Sequence, residues 1–157
     1  MPTNLTPTAG STLAVSASAP ATFDASGYGA LTFTDVGGFD DLGTIGDGYE
    51  MQSFDSIVDG RIPFRGIQDG GSFELNMADD PTDAGQIIMK AAFDAGKGTA
   101  AEKISVEITA PNGAIQYAQV IVGSWRKNYG GANDVIRRQA EVVTIPGTIV
   151  EDNSGVT

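Results

Sequence analysis

Cysteine and histidine are both absent from the 157 residues. Without thiols the chain can form no disulfide, offers no thiolate nucleophile and cannot build a cysteine-rich zinc site; nor does it need an oxidising compartment. Without imidazole it lacks the commonest transition-metal ligand and the commonest general base. Positive charge is missing from the first sixty residues, which carry eight acidic side chains and neither Lys nor Arg. The remainder holds twelve acidic and all nine basic side chains, so most of the formal charge of −11 lies in the first third. There is no basic stripe to neutralise a phosphate backbone. No stretch approaches 18 apolar residues and no basic N-terminal start precedes an apolar run, so neither a membrane span nor a signal peptide is expected.

What is present is β patterning, clearest between residues 102 and 125. Ile104, Val106 and Ile108 alternate with Lys103, Ser105, Glu107 and Thr109, the two-residue period of a strand with one apolar face. Pro111-Asn112-Gly113 supplies turn chemistry, so the chain should reverse into a second strand over Ala114–Trp125. That strand is apolar on both faces around Val120–Val122 and should be covered on both sides. Leu31–Asp35, Ser72–Met77 and Asp134–Ile145 read as further strands, with Arg61–Phe64 a brief one.

One helix is expected after Asp79. Asp80 is a candidate N-cap and Pro81 suits the first turn. Ala84, Ile87, Ile88, Ala91 and Ala92 then form a stripe, with Gly96 as the stop. Residues 1–22, rich in Pro, Thr, Ser, Ala and Gly, read as a flexible arm or one that orders against a neighbour, with Thr12–Ser16 a short strand in the second case. Residues 39–60 read as a short strand and a long acidic loop; a loop of that size in a compact domain points to docking or mobility. Residues 151–157 read as a frayed tail, leaving one domain over 23–150.

The pattern holds little chemistry. Asp40-Asp41 and Asp79-Asp80 are adjacent carboxylates, not a pair set across a cleft. The acidic segment lacks the ligand spacing of a calcium-binding loop. No catalytic residue, metal ligand or cofactor site is expected, and the chain reads as a non-enzyme. The Gly37-Gly38, Gly70-Gly71 and Gly130-Gly131 pairs lack the lysine and strand-to-helix setting of a phosphate loop and read as turns. Trp125, beside Arg126 and Lys127, reads as an anchor at a core or interface. Arg137 and Arg138 point to opposite faces of one strand, and one of them is expected to meet an acid of the 40–59 segment.

The order of these segments resembles the major tail tube protein of long-tailed non-contractile, lambda-like bacteriophages, or of a related phage-like particle. It is carried by SFELNM at 72–77, the helix DPTDAGQIIMKAAFDAGKG, EITAPNGAIQYAQVIVGSW at 107–125 and VIRRQAEVVTIPG at 135–147. The resemblance implies a mainly β fold, sandwich- or barrel-like, with one flanking helix and a long loop at about Phe39–Gly66. It further implies a virion structural protein, assembled in the bacterial cytoplasm, whose hexameric rings stack into a tube that conducts DNA during ejection. Its partners would be copies of itself, tail-tip or baseplate, terminator and length-determining proteins, and duplex DNA in transit without specific binding.

On that reading Asp40, Asp41, Asp47, Tyr49, Glu50, Phe54, Asp55 and Asp59 belong to a contact loop between subunits or rings. Trp125, Arg137 and Arg138 are interface candidates. Glu74, Glu107 and Glu141, each on the polar side of a strand, are candidates for a net-negative lumen that repels DNA. The alternatives are a soluble acidic β-sandwich binding module and a tail-completion or tail-tip ring protein that forms a single ring.

Overall fold

Alternating apolar positions gather nine of the eleven strands among the described residues into one antiparallel sheet. The structure, a computed structural model, describes residues 5–157; Met1–Asn4, the start of the expected arm, lie outside the described residues. The sheet runs in the order β2 (Thr34–Val36), β1 (Thr12–Ser16), β7 (Lys103–Thr109), β8 (Ile115–Val122), β10 (Arg137–Thr144), β6 (Ser72–Ala78) and β3 (Phe39–Asp41). Short strands β9 (Arg126–Asn128) and β11 (Val150–Asp152) pair with β10 and β8. Strands β4 (Gly48–Ser56) and β5 (Gly60–Asp69) form a separate two-stranded hairpin.

The two ends of the sheet are consecutive in the chain. Only Gly37-Gly38 separates β2 from β3, so one segment pairs with β1 before the bend and with β6 after it. The sheet must therefore wrap round on itself. It is not a true barrel, because β2 and β3 do not pair with each other. Gly38 takes φ of 76°, a left-handed conformation that glycine adopts without the Cβ penalty, and its carbonyl accepts from Ala78 N at 2.8 Å.

Helix α2 (Ala84–Asp94) packs against β1, β2, β7 and β8. Gln86 is buried, and its Nε2 donates to the carbonyls of Gly37 and Ala78, at 3.4 and 2.9 Å. Close approach explains Gly85: a Cβ there would sit 2.5 Å from the Asp35 carbonyl oxygen. The core joins Leu13, Val15, Leu75, Met77, Ile104, Val106, Val120 and Val142 to Met89 and Ala92 of α2.

The helix starts later than the sequence suggests. Asp80 accepts from the backbone N and hydroxyl of Thr82 in a turn of its own. Asp83 is the N-cap, accepting from Gln86 N at 3.0 Å. The inward stripe is accordingly Gly85, Ile88, Met89 and Ala92, leaving Ile87 and Ala91 outward.

The other face of β8 is covered by a short helix that the sequence did not reveal, α1 (Ala25–Gly29), capped by Asp24. Tyr28 is fully buried; its ring stacks on Tyr117 at 5.1 Å and its hydroxyl donates to the Thr148 carbonyl at 2.7 Å. Burial pushes that phenol up to about 12. Cover on the second face of β8 is thus present within one subunit at Tyr117 and Gln119, whereas at Ile121, in the stretch where cover was expected, that face is only half-buried, with Val143 opposite it exposed. The Pro111-Asn112-Gly113 turn also forms, with Gly113 at φ of 92° and Asn112 Oδ1 accepting from Ala114 N.

The expected arm and tail take part in the sheet. Strand β1 lies between β2 and β7, with Leu13 and Val15 wholly buried, and β11 places Val150–Asp152 against Tyr117, Gln116 and Ile115. Leu13→Ala should therefore lower unfolding free energy by about 2–5 kcal/mol in urea titration. An effect within about 0.5 kcal/mol, as for an exposed position, would mean that β1 is not part of the subunit core.

Candidate assembly interface

The segment expected to be a long loop is mostly regular hairpin. Strands β4 and β5 pair from Gly48 with Asp69 to Ser56 with Gly60, with one bulge between Tyr49 and Met51. Asp59-Gly60 is the turn signal, and Gly60 has φ of 76°. Cross-strand partners Gln52 and Phe64, and Phe54 and Ile62, share one face. Met51 and Arg65, Ser53 and Pro63, and Asp55 and Arg61 share the other, where Arg65 lies over the Tyr49 ring at 4.9 Å.

Phe54, Ile62 and Phe64 are all exposed, and Ile57 and Val58 at the tip are 104% and 90% exposed. An isolated two-stranded hairpin is marginal in water. A row of apolar side chains on it invites a covering surface. At about 3.3 Å per residue, nine residues of β4 carry the tip roughly 30 Å along the strand.

The eight residues assigned to the contact loop divide. Asp47 is at the hairpin root, where Oδ2 accepts from Gln68 Nε2 and Gly147 N. Tyr49, Glu50, Phe54 and Asp55 are on β4, and Asp59 is in the turn. Asp40 and Asp41 are instead in β3, on the body. Asp40 pairs with Arg137, so the expected contact between an arginine and this acidic segment exists within one subunit.

Trp125 and Arg138 meet at the other side of the body. The Arg138 guanidinium lies 5.0 Å from the Trp125 ring centroid and donates to Asp79 Oδ1 at 2.8 Å. Lys127 Nζ is 2.9 Å from the other Asp79 oxygen. Burial pushes the Asp79 carboxyl up, but its hydrogen bonds and charge contacts with Lys127 and Arg138 together outweigh this, so it lies below its ordinary value. Beside it, Asp79, Pro81, Ile87, Lys90, Trp125 and Arg138 border a cavity of about 220 Å³.

The three glutamates all lie on the sheet face away from α2, in different settings. Glu74 and Glu141 are direct cross-strand partners and both exposed. Neither is in an ion pair among the described residues. Opposed like charges disfavour the pairing of their strands. Glu107 is half-buried, with Tyr117 its cross-strand partner, and burial raises its pKa. It is thus set apart from the open Glu74–Glu141 pair. Among the described residues no group of three or more Asp or Glu side chains is placed to hold a metal ion.

No family model matches the chain, and no curated protein sequence matches it. Its fold is shared with chains from solved tube and sheath assemblies. A chain of the sheath/tube terminator of an extracellular contractile injection system, PVC, superposes with a TM-score of 0.71 at 10% identity, covering 95% of this chain and 97% of that one. A chain of the PVC sheath-tube complex gives 0.65 at 10% identity, covering 96% and 93%. A chain of the SPP1 tail tube gives 0.61 at 16% identity, covering 93% and 79%. The likeness extends to contractile systems and is not specific to non-contractile tails.

Two substitutions probe these clusters. Asp79→Asn should cost on the order of 3 kcal/mol at pH 7, because Lys127 and Arg138 lose their counter-charge. Since the folded-state pKa is depressed, Asp79 stabilises above its ordinary 3.8; the difference between variant and parent should shrink as pH falls below that and close once the folded-state value is passed. Glu141→Lys, which replaces an opposed like pair by an opposite one, should stabilise the subunit by about 0.2–1 kcal/mol in low salt. Urea titrations across pH and salt would read both, and a constant acid-limb gap or a destabilised Glu141→Lys subunit would contradict them.

Proposed function

We propose that this chain is a structural wall subunit of a phage-tail or injection-system tube, and that it works by joining copies of itself. The observation that carries the reading is the projecting hairpin whose apolar face and tip nothing in the subunit covers. Burial of apolar surface is the main favourable term in association, and those five side chains are available for it. The fold shared with the PVC and SPP1 chains supports a tube as the assembly.

In this reading hexameric rings close side by side and stack head to tail, two heterologous contacts of which the second leaves a filament open. The open edges of β2 and β3 are suited to lateral contact, since unpaired strand edges otherwise invite uncontrolled pairing. The hairpin carries the contact between rings, with Tyr49, Glu50, Phe54, Asp55 and Asp59 as its residues. Trp125, Arg137 and Arg138 belong to subunit interfaces.

The open face of β6 and β10, with Glu74 opposite Glu141, lines a net-negative channel, and Glu107 is at most a marginal contributor. Such a lining favours DNA passage because a surface that neutralised phosphates would bind the duplex tightly. Tail-tip, terminator and length-determining proteins would be the other partners, and the virion tail the location.

Negative-stain microscopy of the purified chain tests the reading, with tubes or stacked rings as the expected result. Removing only Asp47–Asp59 would strand β5 without its partner, so the informative deletion replaces Gly48–Asp69 by a short glycine-serine link. That variant should keep the thermal midpoint of the body and lose stacking. Tubes of ordinary length from the deleted chain would reject the hairpin's role, and a parent that stays monomeric at high concentration would reject the wall subunit.

A further inference from the structure

We infer that the hairpin tip of one copy, Ile57 and Val58, seats in the cavity beside Trp125 of a neighbouring copy. This deepens the tube reading and rests on it. The tip presents the two most exposed large apolar side chains among the described residues, both branched. The cavity, about 220 Å³, has room for them between Pro81, Ile87 and Trp125. Ile87 is 53% exposed on the outward face of the helix, and Trp125 is half-buried beside it. A fixed indole with an adjoining aliphatic side chain is the composition of an interface anchor.

The charges at the two surfaces agree. Asp59, next to the tip, accepts only from the Ser56 hydroxyl among the described residues, at 3.4 Å, and Asp55 pairs with Arg61. At the cavity, Asp79 is occupied by Lys127 and Arg138, and Asp80 is turned onto Thr82. Lys90, on the rim, is bound to Asp94 at 2.6 Å with its side chain half exposed, and its flexible stem lets the ammonium meet Asp59 of an incoming tip. The tip is not docked on its own body, as its exposure shows. Because tip and cavity are on different elements, each copy gives one contact and receives another. Where the copy that receives a tip is not the copy that gives one back, the contact is heterologous and propagates, which is the arrangement a tube requires.

The chain has no cysteine and a single tryptophan, which makes the test direct. The full chain carrying Ile57→Cys and Ile87→Cys, assembled and mildly oxidised, should give a ladder of dimer, trimer and higher species on a non-reducing gel. Mixing the two single variants should stop at dimers. A pair with the cysteine moved from position 87 to the exposed Val135 is the control and should give no ladder. In the cysteine-free parent, assembly should shift Trp125 emission to the blue and reduce its quenching by acrylamide, and Val58→Asp should abolish both changes. Tubes that form without a ladder and without a change in Trp125 would overturn this docking and leave the tube reading standing. A ladder as strong in the control would also overturn it, and the absence of any assembly would overturn both.

Discussion

The structure depends on a single bend. Gly37-Gly38 lets one short stretch of chain serve both ends of the sheet, β2 on β1 and β3 on β6. The bend alone would leave backbone groups facing the gap between two strands that do not pair. At the bend itself Gln86 reaches from α2 to the carbonyls of Gly37 and of Ala78 at the end of β6, while Asp83 Oδ1 accepts from Gly37 N at 3.3 Å and caps the helix as well. Helix and bend are therefore mutually required: the helix is fixed where the sheet needs its polar groups, and the bend is satisfied only where the helix begins. Gly85, pressed against the backbone of β2, is the steric signature of that closeness.

This division of labour explains the exposed hairpin. The wrapped sheet and its two helices bury their apolar faces with residues from the body alone. The hairpin contributes no buried side chain among the described residues, so its apolar side chains are free to answer to another surface. A segment under no folding constraint from the core retains Phe54, Ile57, Val58, Ile62 and Phe64 at a cost in solubility that only a partner offsets. The same logic applies to Glu74 and Glu141. Two carboxylates opposed across neighbouring strands work against pairing, and a function at that face gives a reason for the arrangement.

What was legible in the sequence follows the range of the physics involved. The PNG hairpin and α2 could be read because turn chemistry and helical spacing are local. The offset of the helix by three residues could not, since Asp80 and Asp83 are both good caps and the choice falls to Thr82, which takes up Asp80. Strand β1 was legible as Thr12–Ser16 only as one of two alternatives, and then against a neighbour, because its partners within the subunit, residues 34–36 and 105–109, are far along the chain and its own stretch is only five residues. Strand β4 looked like a loop because its apolar residues do not alternate cleanly and neither of its faces is buried in the subunit, whereas Arg61–Phe64 of β5 was legible as a brief strand. The hairpin's Asp59-Gly60 turn was visible all the same. The Trp125–Arg138–Asp79–Lys127 cluster combines residues from three separate segments, and no spacing in the sequence announces it.

Charge sets the balance of any assembly. Each copy carries −11, and bringing copies together adds repulsion that physiological salt screens only beyond about 8 Å. The described ion pairs do not lessen this, since all five are satisfied inside the subunit. Attraction between copies must come instead from apolar burial and strand-edge pairing, both short-ranged and geometrically exacting. Long-range repulsion combined with short-range attraction keeps free subunits apart and rewards only well-registered contact. For a proposed tube whose channel must also release a polyanion, the same acidic surplus thus serves two ends: it restrains premature association before assembly and denies DNA a site to grip afterwards.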